Sequence, residues 1–250
     1  GGLAAKIASI PLVIHEQNAV AGTANRILAK FATRICEAFP NTFTQRKNCI
    51  TTGNPVREEL FNTATVDGLT DRTTRLFVVG GSLGAEPLNK LVPAALAKIE
   101  PQLRPAVLHQ AGRDHDEVTR ERYLQAGVAA KVVPFMRDMA GAYAEADLVI
   151  CRAGALTISE LAATGRGSFL VPLPHAIDDH QTRNAEFLAK QGAAILLPQH
   201  TTNADDLAAQ LTEVLMDKNR IKAMGEQARL LAQPEATQDV VSLCLEVARG

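Results

Sequence analysis

From residue 75 onward, short apolar runs alternate with stretches of helical period. "RLFVVGG" precedes a helical pattern at about 85–98, "PAVLHQAG" one at about 114–126, "KVVPF" a short one near 138–145, and "DLVICRAG" leads into "ALTISELAATG". "SFLVPLP" and "AAILLP" complete the strand-like runs, and helical patterns near 204–216, 218–231 and 236–248 close the chain. A strand that is apolar throughout must be covered on both faces, and parallel strands are joined through crossover helices. The alternation therefore predicts an open parallel sheet between two helix layers.

The earlier part of the chain carries a weaker version of the same pattern. "IPLVIHE" reads as a strand, "AGTANRILAKFA" as a helix with Ile27, Leu28 and Phe31 on one stripe, and "TRICEAF" and "NCITTGN" as short strands. Phe61 to Thr74, "FNTATVDGLTDRTT", is polar, contains glycine and has no period, which predicts a linker. "GLAAKIASI" reads as the tail of a helix, with no initiator Met and no basic signal-peptide region. The chain is thus expected to be a piece of a longer one whose natural N-terminus is missing.

Composition narrows the function classes. A formal net charge of −1 over 250 residues leaves no electrostatic footprint for nucleic acid, which is not expected as a partner. Cys36, Cys49, Cys151 and Cys244 form no C-x-x-C pair and no metal-type spacing, so they read as reduced, mostly buried thiols of a cytosolic protein. No apolar run approaches the roughly 20 residues that span a bilayer.

Ligands of open parallel sheets bind beyond the carboxyl ends of the strands. The turns there collect glycine, hydroxyl, amide, carboxylate and guanidinium groups: "HEQN", "GNPVR", "GGSLGA", "QAGRD", "PFMRD", "CRAGALTISE" and "PLPHAIDDHQ". In "VVGGSLGA", Val78 to Ala85, the glycines permit close backbone approach and the helix start offers free N–H groups to an anion such as a diphosphate. A tight turn that binds nothing fits the same residues. The turn matches neither G-x-G-x-x-G nor a Walker A loop, and it has no Lys-Ser/Thr pair to hold Mg²⁺.

"CRAGALTISE" repeats the arrangement, with Gly154 at the turn and the amides of Ala155, Leu156 and Thr157 at the helix start. Its Glu160 has two readings. Thr157-Ile-Ser-Glu160 fits the S/T-x-x-E capping box, in which the acid satisfies an orphan backbone N–H. Alternatively, the carboxylate sits behind a phosphate site and accepts from two ribose hydroxyls. Arg57 in "GNPVR" falls in the first turn of a helix after Pro55, as a ring-stacking or phosphate-binding group or as a plain surface arginine. "PHAIDDHQTRNA" crowds His175, Asp178, Asp179, His180, Gln181 and Asn184 together, but at spacings of no known metal site. Donors for sugar hydroxyls are the other reading. In "HEQN", Asn18 is placed to reach a ligand, while His15 and Glu16 equally suit turn backbone.

In their order and spacing, "HEQNAVAG", "GNPVR", "GGSLGA", "CRAGALTISE" and "DDHQTRNA" resemble the MurG family of bacterial glycosyltransferases over the whole chain. The resemblance implies an α/β GT-B fold, in which a Rossmann-like parallel-sheet domain follows the remnant of a second one. Residues 1–60 would be the C-terminal part of an N-terminal acceptor and membrane domain, 61–74 the linker, and 75–250 the UDP-sugar domain. The last helix, near 236–248, would pack back on the N-terminal part. The implied reaction is inverting transfer of N-acetylglucosamine from UDP-GlcNAc to the 4-hydroxyl of the muramyl sugar of lipid I, forming lipid II in peptidoglycan synthesis. No cofactor and no metal are implied, and the implied location is the cytoplasmic face of the inner membrane.

Carried onto this sequence, the resemblance has Met136 presenting backbone groups to uracil, Arg57 near the base and Glu160 on the ribose. Ser82 and the amides of Ala155, Leu156 and Thr157 hold the diphosphate, and Asn18, His180 and Gln181 address the sugar. Arg26 and Lys30 match basic positions facing anionic lipid, against the plainer reading of a solvated helix face. The family's catalytic-site His belongs to a Gly-rich loop upstream, so the catalytic group is not identified here and the chain is expected to be inactive alone. Leu83 stands where the family usually has Gln, and Gly167, where Pro is usual, is expected to loosen its turn. A UDP-GlcNAc 2-epimerase would need more acids beside the sugar, with only Asp178 and Asp179 as candidates; a non-catalytic nucleotide-sugar-binding fragment is the other alternative. Because two or three strands alone bury too little apolar surface, residues 1–54 are expected to dock on the second unit, pair with another chain or move.

Overall fold

The computed structural model describes residues 1–44, 46–69, 72–81, 84–174 and 179–249. The first unit comprises α1 (Gly2–Ile7), β1 (Val13–Glu16), α2 (Thr23–Leu28), β2 (Arg34–Glu37) and β3 (Cys49–Thr51). Its three strands form a parallel sheet in the order β1-β2-β3 around Ile14, Ala29, Ile35 and Phe43. The helix expected over "AGTANRILAKFA" is shorter than its pattern, and Ile27 is exposed instead of buried on a stripe.

The second unit follows the predicted alternation: β4 (Arg75–Val79), α3 (Glu86–Ala97), β5 (Ala106–Gln110), α4 (Asp116–Gln125), β6 (Ala130–Val133), α5 (Met139–Glu145) and β7 (Leu148–Cys151). It continues with α6 (Ala155–Thr164), β8 (Gly167–Leu170), α7 (His180–Ala189), β9 (Ala194–Leu196), α8 (Ala204–Met216), α9 (Lys218–Leu230) and α10 (Ala236–Arg249). All strands are parallel, in the order β6-β5-β4-β7-β8-β9. Every residue of β7 and β8 is buried, as a strand covered on both faces requires. One face packs on Leu88, Val92 and Leu96 of α3 and on Leu207, Leu211 and Val214 of α8. The other packs on Tyr143, Ile158, Leu161 and Leu188 from α5, α6 and α7. Strand order reverses between β4 and β7, which opens a crevice at their carboxyl ends.

The sequence pattern alone leaves α7 out, because its first turn is built of polar residues that read as a ligand-binding turn. Gly167 is no loosened turn either. It is the first residue of β8, and a Cβ there would lie 2.8 Å from the Cβ of Met224 on α9, so the missing side chain lets helix and strand approach.

Residues 1–54 dock on the second unit. Asn54 Nδ2 donates to Ser159 Oγ at 3.1 Å, Ala19 N donates to Asn184 Oδ1 at 2.8 Å, and Asn184 Nδ2 donates to Asn18 Oδ1 at 3.2 Å. Helix α10 lies against β1 and β2, and Arg34 Nη2 pairs with Glu246 at 2.6 Å. Two arginines pin the connecting stretch. Arg229 donates to the carbonyls of Phe61, Thr63, Ala163 and Thr164. Arg166, 1% exposed, donates to those of Ala64 and Tyr143 at 2.8 Å each, and burial draws its guanidinium down to about 10.

Candidate functional site

A cavity of about 640 Å³ opens where the strand order reverses. Its walls come from the turn after β4 (Gly80, Gly81, Gly84), the start of α6 (Gly154, Thr157, Glu160), the turn after β6 (Phe135, Met136), and Gln181 of α7. The two glycine-bearing turns deliver two helix N-termini to one space. Among the described residues neither α3 nor α6 has a side-chain cap, which leaves amides of their first turns unpaired by side chains, Pro87 of α3 having none to offer. Gly84 is required where it stands: its φ is +75°, and a Cβ would lie 2.1 Å from the carbonyl oxygen of Ala111. Gln110 Nε2 donates to Gly81 O at 3.1 Å and ties the turn to the next strand.

Glu160 decides between its two readings. Helix α6 begins at Ala155 with Gly154 as N-cap, so Thr157 is already the third helical residue and Glu160 lies a turn too late to cap. The capping box is overturned. Instead the carboxylate lines the cavity and accepts from Tyr143 Oη at 3.1 Å. Burial raises its pKa above the ordinary carboxylate value, and the Tyr143 hydroxyl and the Arg57 charge offset this only in part. Tyr143 is itself fully buried, edge-on to Phe77 with ring centroids 5.7 Å apart, so its hydroxyl is held in place.

The structure brings Met136, Thr157, Glu160 and Gln181 into the cavity wall, with Ala155 and Leu156 beside them at the head of α6. Gln181 Oε1 accepts from Leu173 N at 2.9 Å. Ser82, Leu83, His175 and Asp178 lie outside the described residues. Three expected residues stand apart. Arg57 belongs to no α-helix: it precedes a 3-10 turn at Glu58–Leu60, is half-exposed and pairs with Glu59 at 2.9 Å, close enough for its charge to reach Glu160. Asn18 is held by Glu16 and Asn184, and His180, the first residue of α7, is not among the lining residues. Arg26 and Lys30 are exposed on and just after α2, with exposed Ile27 between them.

Two lining residues, Tyr143 and Gln199, lie outside the turns singled out by the sequence, while Gln110 of "QAGRD" and Arg152 of "CRAGALTISE" lie within them without having been assigned a role. Half-buried Arg152 donates through Nη1 to Val171 O and Pro172 O at 3.1 and 3.2 Å, and burial lowers its pKa. The cue for it was its place, directly after the fully buried strand β7. Of the cysteines, all free, Cys36 and Cys151 are buried, Cys49 is half-buried and Cys244 is exposed. Among the described residues no group of three His, Cys, Asp or Glu side chains is placed to hold a metal ion.

The model of the glycosyltransferase family 28 C-terminal domain matches residues 75–240, and that of the family 28 N-terminal domain matches residues 1–37. Over 250 residues the chain is 67% identical to the UDP-N-acetylglucosamine–N-acetylmuramyl-(pentapeptide) pyrophosphoryl-undecaprenol N-acetylglucosamine transferase of Stutzerimonas stutzeri, covering 100% of this chain and 70% of that protein. The chain belongs to the MurG group of glycosyltransferase family 28. The corresponding transferase of Pseudomonas aeruginosa is 64% identical over 251 residues, with the same coverage. The crystal structure of Acinetobacter baumannii MurG superposes with a TM-score of 0.86 at 45% identity, over 98% of this chain and 70% of that one. The UDP-GlcNAc 2-epimerase of Neisseria meningitidis, at a TM-score of 0.66 and 11% identity over 98% of this chain and 72% of that one, shares the fold alone. The GT-B α/β architecture is thus that of a UDP-GlcNAc-dependent glycosyltransferase family, and an epimerase assignment is set aside.

Proposed function

We propose that this MurG-family chain binds UDP-GlcNAc in the cavity at the β4–β7 reversal, for inverting transfer of N-acetylglucosamine to the muramyl 4-hydroxyl of lipid I, giving lipid II. Residues 1–60 belong on this reading to the acceptor and membrane domain, 61–74 to the linker and 75–250 to the donor domain. The observation that carries the donor assignment is the placement of Glu160. An acid with, among the described residues, one protein donor and a place in the cavity wall beside two helix N-termini without side-chain caps suits a ribose next to a diphosphate.

In transfer, the acceptor hydroxyl gives up its proton to a general base, a role assigned to no residue of this chain, and its oxygen bonds to the anomeric carbon as the bond from that carbon to the diphosphate oxygen breaks. Negative charge then grows on the departing UDP. Fixed amides at the starts of α3 and α6, including those of Ala155, Leu156 and Thr157, would meet that charge without reorganising. Met136 would offer main-chain groups to uracil, Gln181 would address the sugar, and Ser82 would join the diphosphate site. Asn18 and His180 would address the sugar with Gln181, and Arg57 would lie near the base. Arg26 and Lys30, flanking Ile27, would face anionic lipid at the cytoplasmic surface of the inner membrane. Among the described residues no helix is long and apolar enough to cross a membrane.

A ligand–protein cycle tests the assignment: calorimetry of UDP and 2′,3′-dideoxy-UDP against the wild-type chain and Glu160→Ala. The wild type is expected to prefer UDP by about 30-fold, roughly 2 kcal/mol for two charge-assisted hydrogen bonds, and the variant to bind both alike. An unchanged preference in the variant removes Glu160 from the ribose.

A further inference from the structure

Beneath the donor cavity lies a buried polar chain that the proposed chemistry does not use. His109 of β5 is 0% exposed, as is Asn89 of α3, and Tyr123 of α4 is 1% exposed. His109 Nδ1 lies 2.8 Å from Tyr123 Oη and Nε2 lies 3.0 Å from Asn89 Oδ1, while Asn89 Nδ2 donates to Ala111 O at 2.9 Å. The proton positions follow from the far end. Because the Asn89 amide spends its N–H on Ala111, its oxygen faces the imidazole and must accept; Nε2 therefore carries the proton, and bare Nδ1 accepts from Tyr123. Burial draws the imidazole down to about 3 and pushes the phenol up, so the chain stays neutral and runs in one direction.

Its end point is a single main-chain oxygen. Ala111 O is the atom that a Cβ on Gly84 would meet at 2.1 Å, so the Gly84 backbone rests directly on it. Gly84 N in turn donates to Gly81 O at 2.9 Å, closing the turn that presents the head of α3 to the cavity. Three buried polar side chains where leucine or phenylalanine would pack more simply call for a return on their desolvation.

We propose that Tyr123, His109 and Asn89 are positioning residues for donor binding: through the Ala111 carbonyl they hold Gly84, and with it the start of α3, at the height at which the cavity meets a diphosphate. The proposal rests on the reading of that turn as a diphosphate holder. It differs from a plain packing role in one respect. Loss of the chain costs affinity for the phosphate part of the ligand and leaves the nucleoside part untouched.

The test is calorimetric titration of the chain with UDP and with uridine, for the wild type, Asn89→Leu and Tyr123→Phe, with thermal unfolding recorded for each. Wild-type UDP is expected to bind far more tightly than uridine. Asn89→Leu is expected to weaken UDP by about 10-fold and Tyr123→Phe by about 3-fold, with uridine affinity unchanged in both. Should Asn89→Leu fail to fold, Tyr123→Phe, which keeps the ring and loses only the donor, decides the matter. Equal losses for UDP and uridine, or no loss of either in a folded variant, overturn the positioning role. A wild-type chain that binds uridine as tightly as UDP overturns the diphosphate reading beneath it.

Discussion

Glu16 ends strand β1 and Glu160 lies in the second turn of α6, the helix after β7, and the surroundings of the two acids push them in opposite directions. Burial alone would raise the Glu16 carboxyl. Against it stand hydrogen bonds from Asn18 N at 3.0 Å, Asn25 Nδ2 at 3.0 Å, Gly22 N at 2.9 Å and Asn18 Nδ2 at 3.4 Å, which together hold it below the ordinary range. Glu37, the last residue of β2, is engaged in the same way by Asn41 N, Phe43 N and Thr51 Oγ1. Glu160 has the Tyr143 hydroxyl, distant help from Arg57, and a pKa that stays raised. An acid whose acceptor sites are filled by its own turn is a clamp, and one with a single donor among the described residues and a cavity before it is, on the proposed reading, a receptor. The count of internal donors separates them.

The clamp carries the largest expected effect. Glu16→Ala leaves buried amide donors of its turn unpaired and is expected to cost about 3 kcal/mol in urea unfolding, with UDP affinity within about two-fold of wild type. A loss below about 0.5 kcal/mol would erase the distinction between the two acids. Glu160→Gln should do the reverse. UDP affinity is expected to fall by about 2 kcal/mol, while the melting temperature holds or rises because a poorly solvated charge is gone. A clear drop in melting temperature would make Glu160 a second clamp.

Acid titration sharpens the contrast. The Glu160 carboxylate exists only above its raised pKa, so UDP affinity should decline on acidification through a midpoint above 4.5, the ordinary value, and Glu160→Gln should flatten that profile. Glu16, depressed when folded, contributes stability that is complete above 4.5 and is lost only as pH falls through its lower folded value, visible in melts of the wild type against Glu16→Ala. The smallest effect is expected of Tyr143→Phe: about 1 kcal/mol of UDP affinity, roughly five-fold, with the acid midpoint moved further up. An unmoved midpoint would mean that the hydroxyl does not engage the carboxylate.

The fold was legible where one element satisfies itself locally. Helix α8 matches its pattern because Asn203 and Asp206 form a complete capping box at its head and Leu207, Leu211 and Val214 keep its period. Strands β7 and β8 were legible because runs buried on both faces leave an unbroken apolar signature. Helix α7 was hidden by its polar first turn, and the S/T-x-x-E pattern at Thr157 misled because Gly154 starts the helix earlier. Within the site, glycine turns and Glu160 were visible as residue types out of keeping with their neighbours. Tyr143 was not, since what makes it relevant is contact with a residue 17 positions away, and the part played by Arg152, though its turn was visible, depends on carbonyls 19 and 20 positions away.

The hold of α10 on the first sheet has a consequence for how the chain is made. Arg34 meets Glu246 across 212 positions, and Gly53 is packed so tightly on Gln233 that a Cβ would lie 2.5 Å from that residue's Cβ. Contacts of such separation form late, because closing so long a loop is entropically unfavourable until the intervening unit is compact. The segment between Arg34 and Glu246 must therefore be made and compacted before β2 can meet α10. Until then the faces of β1 and β2 that α10 covers are without that helix.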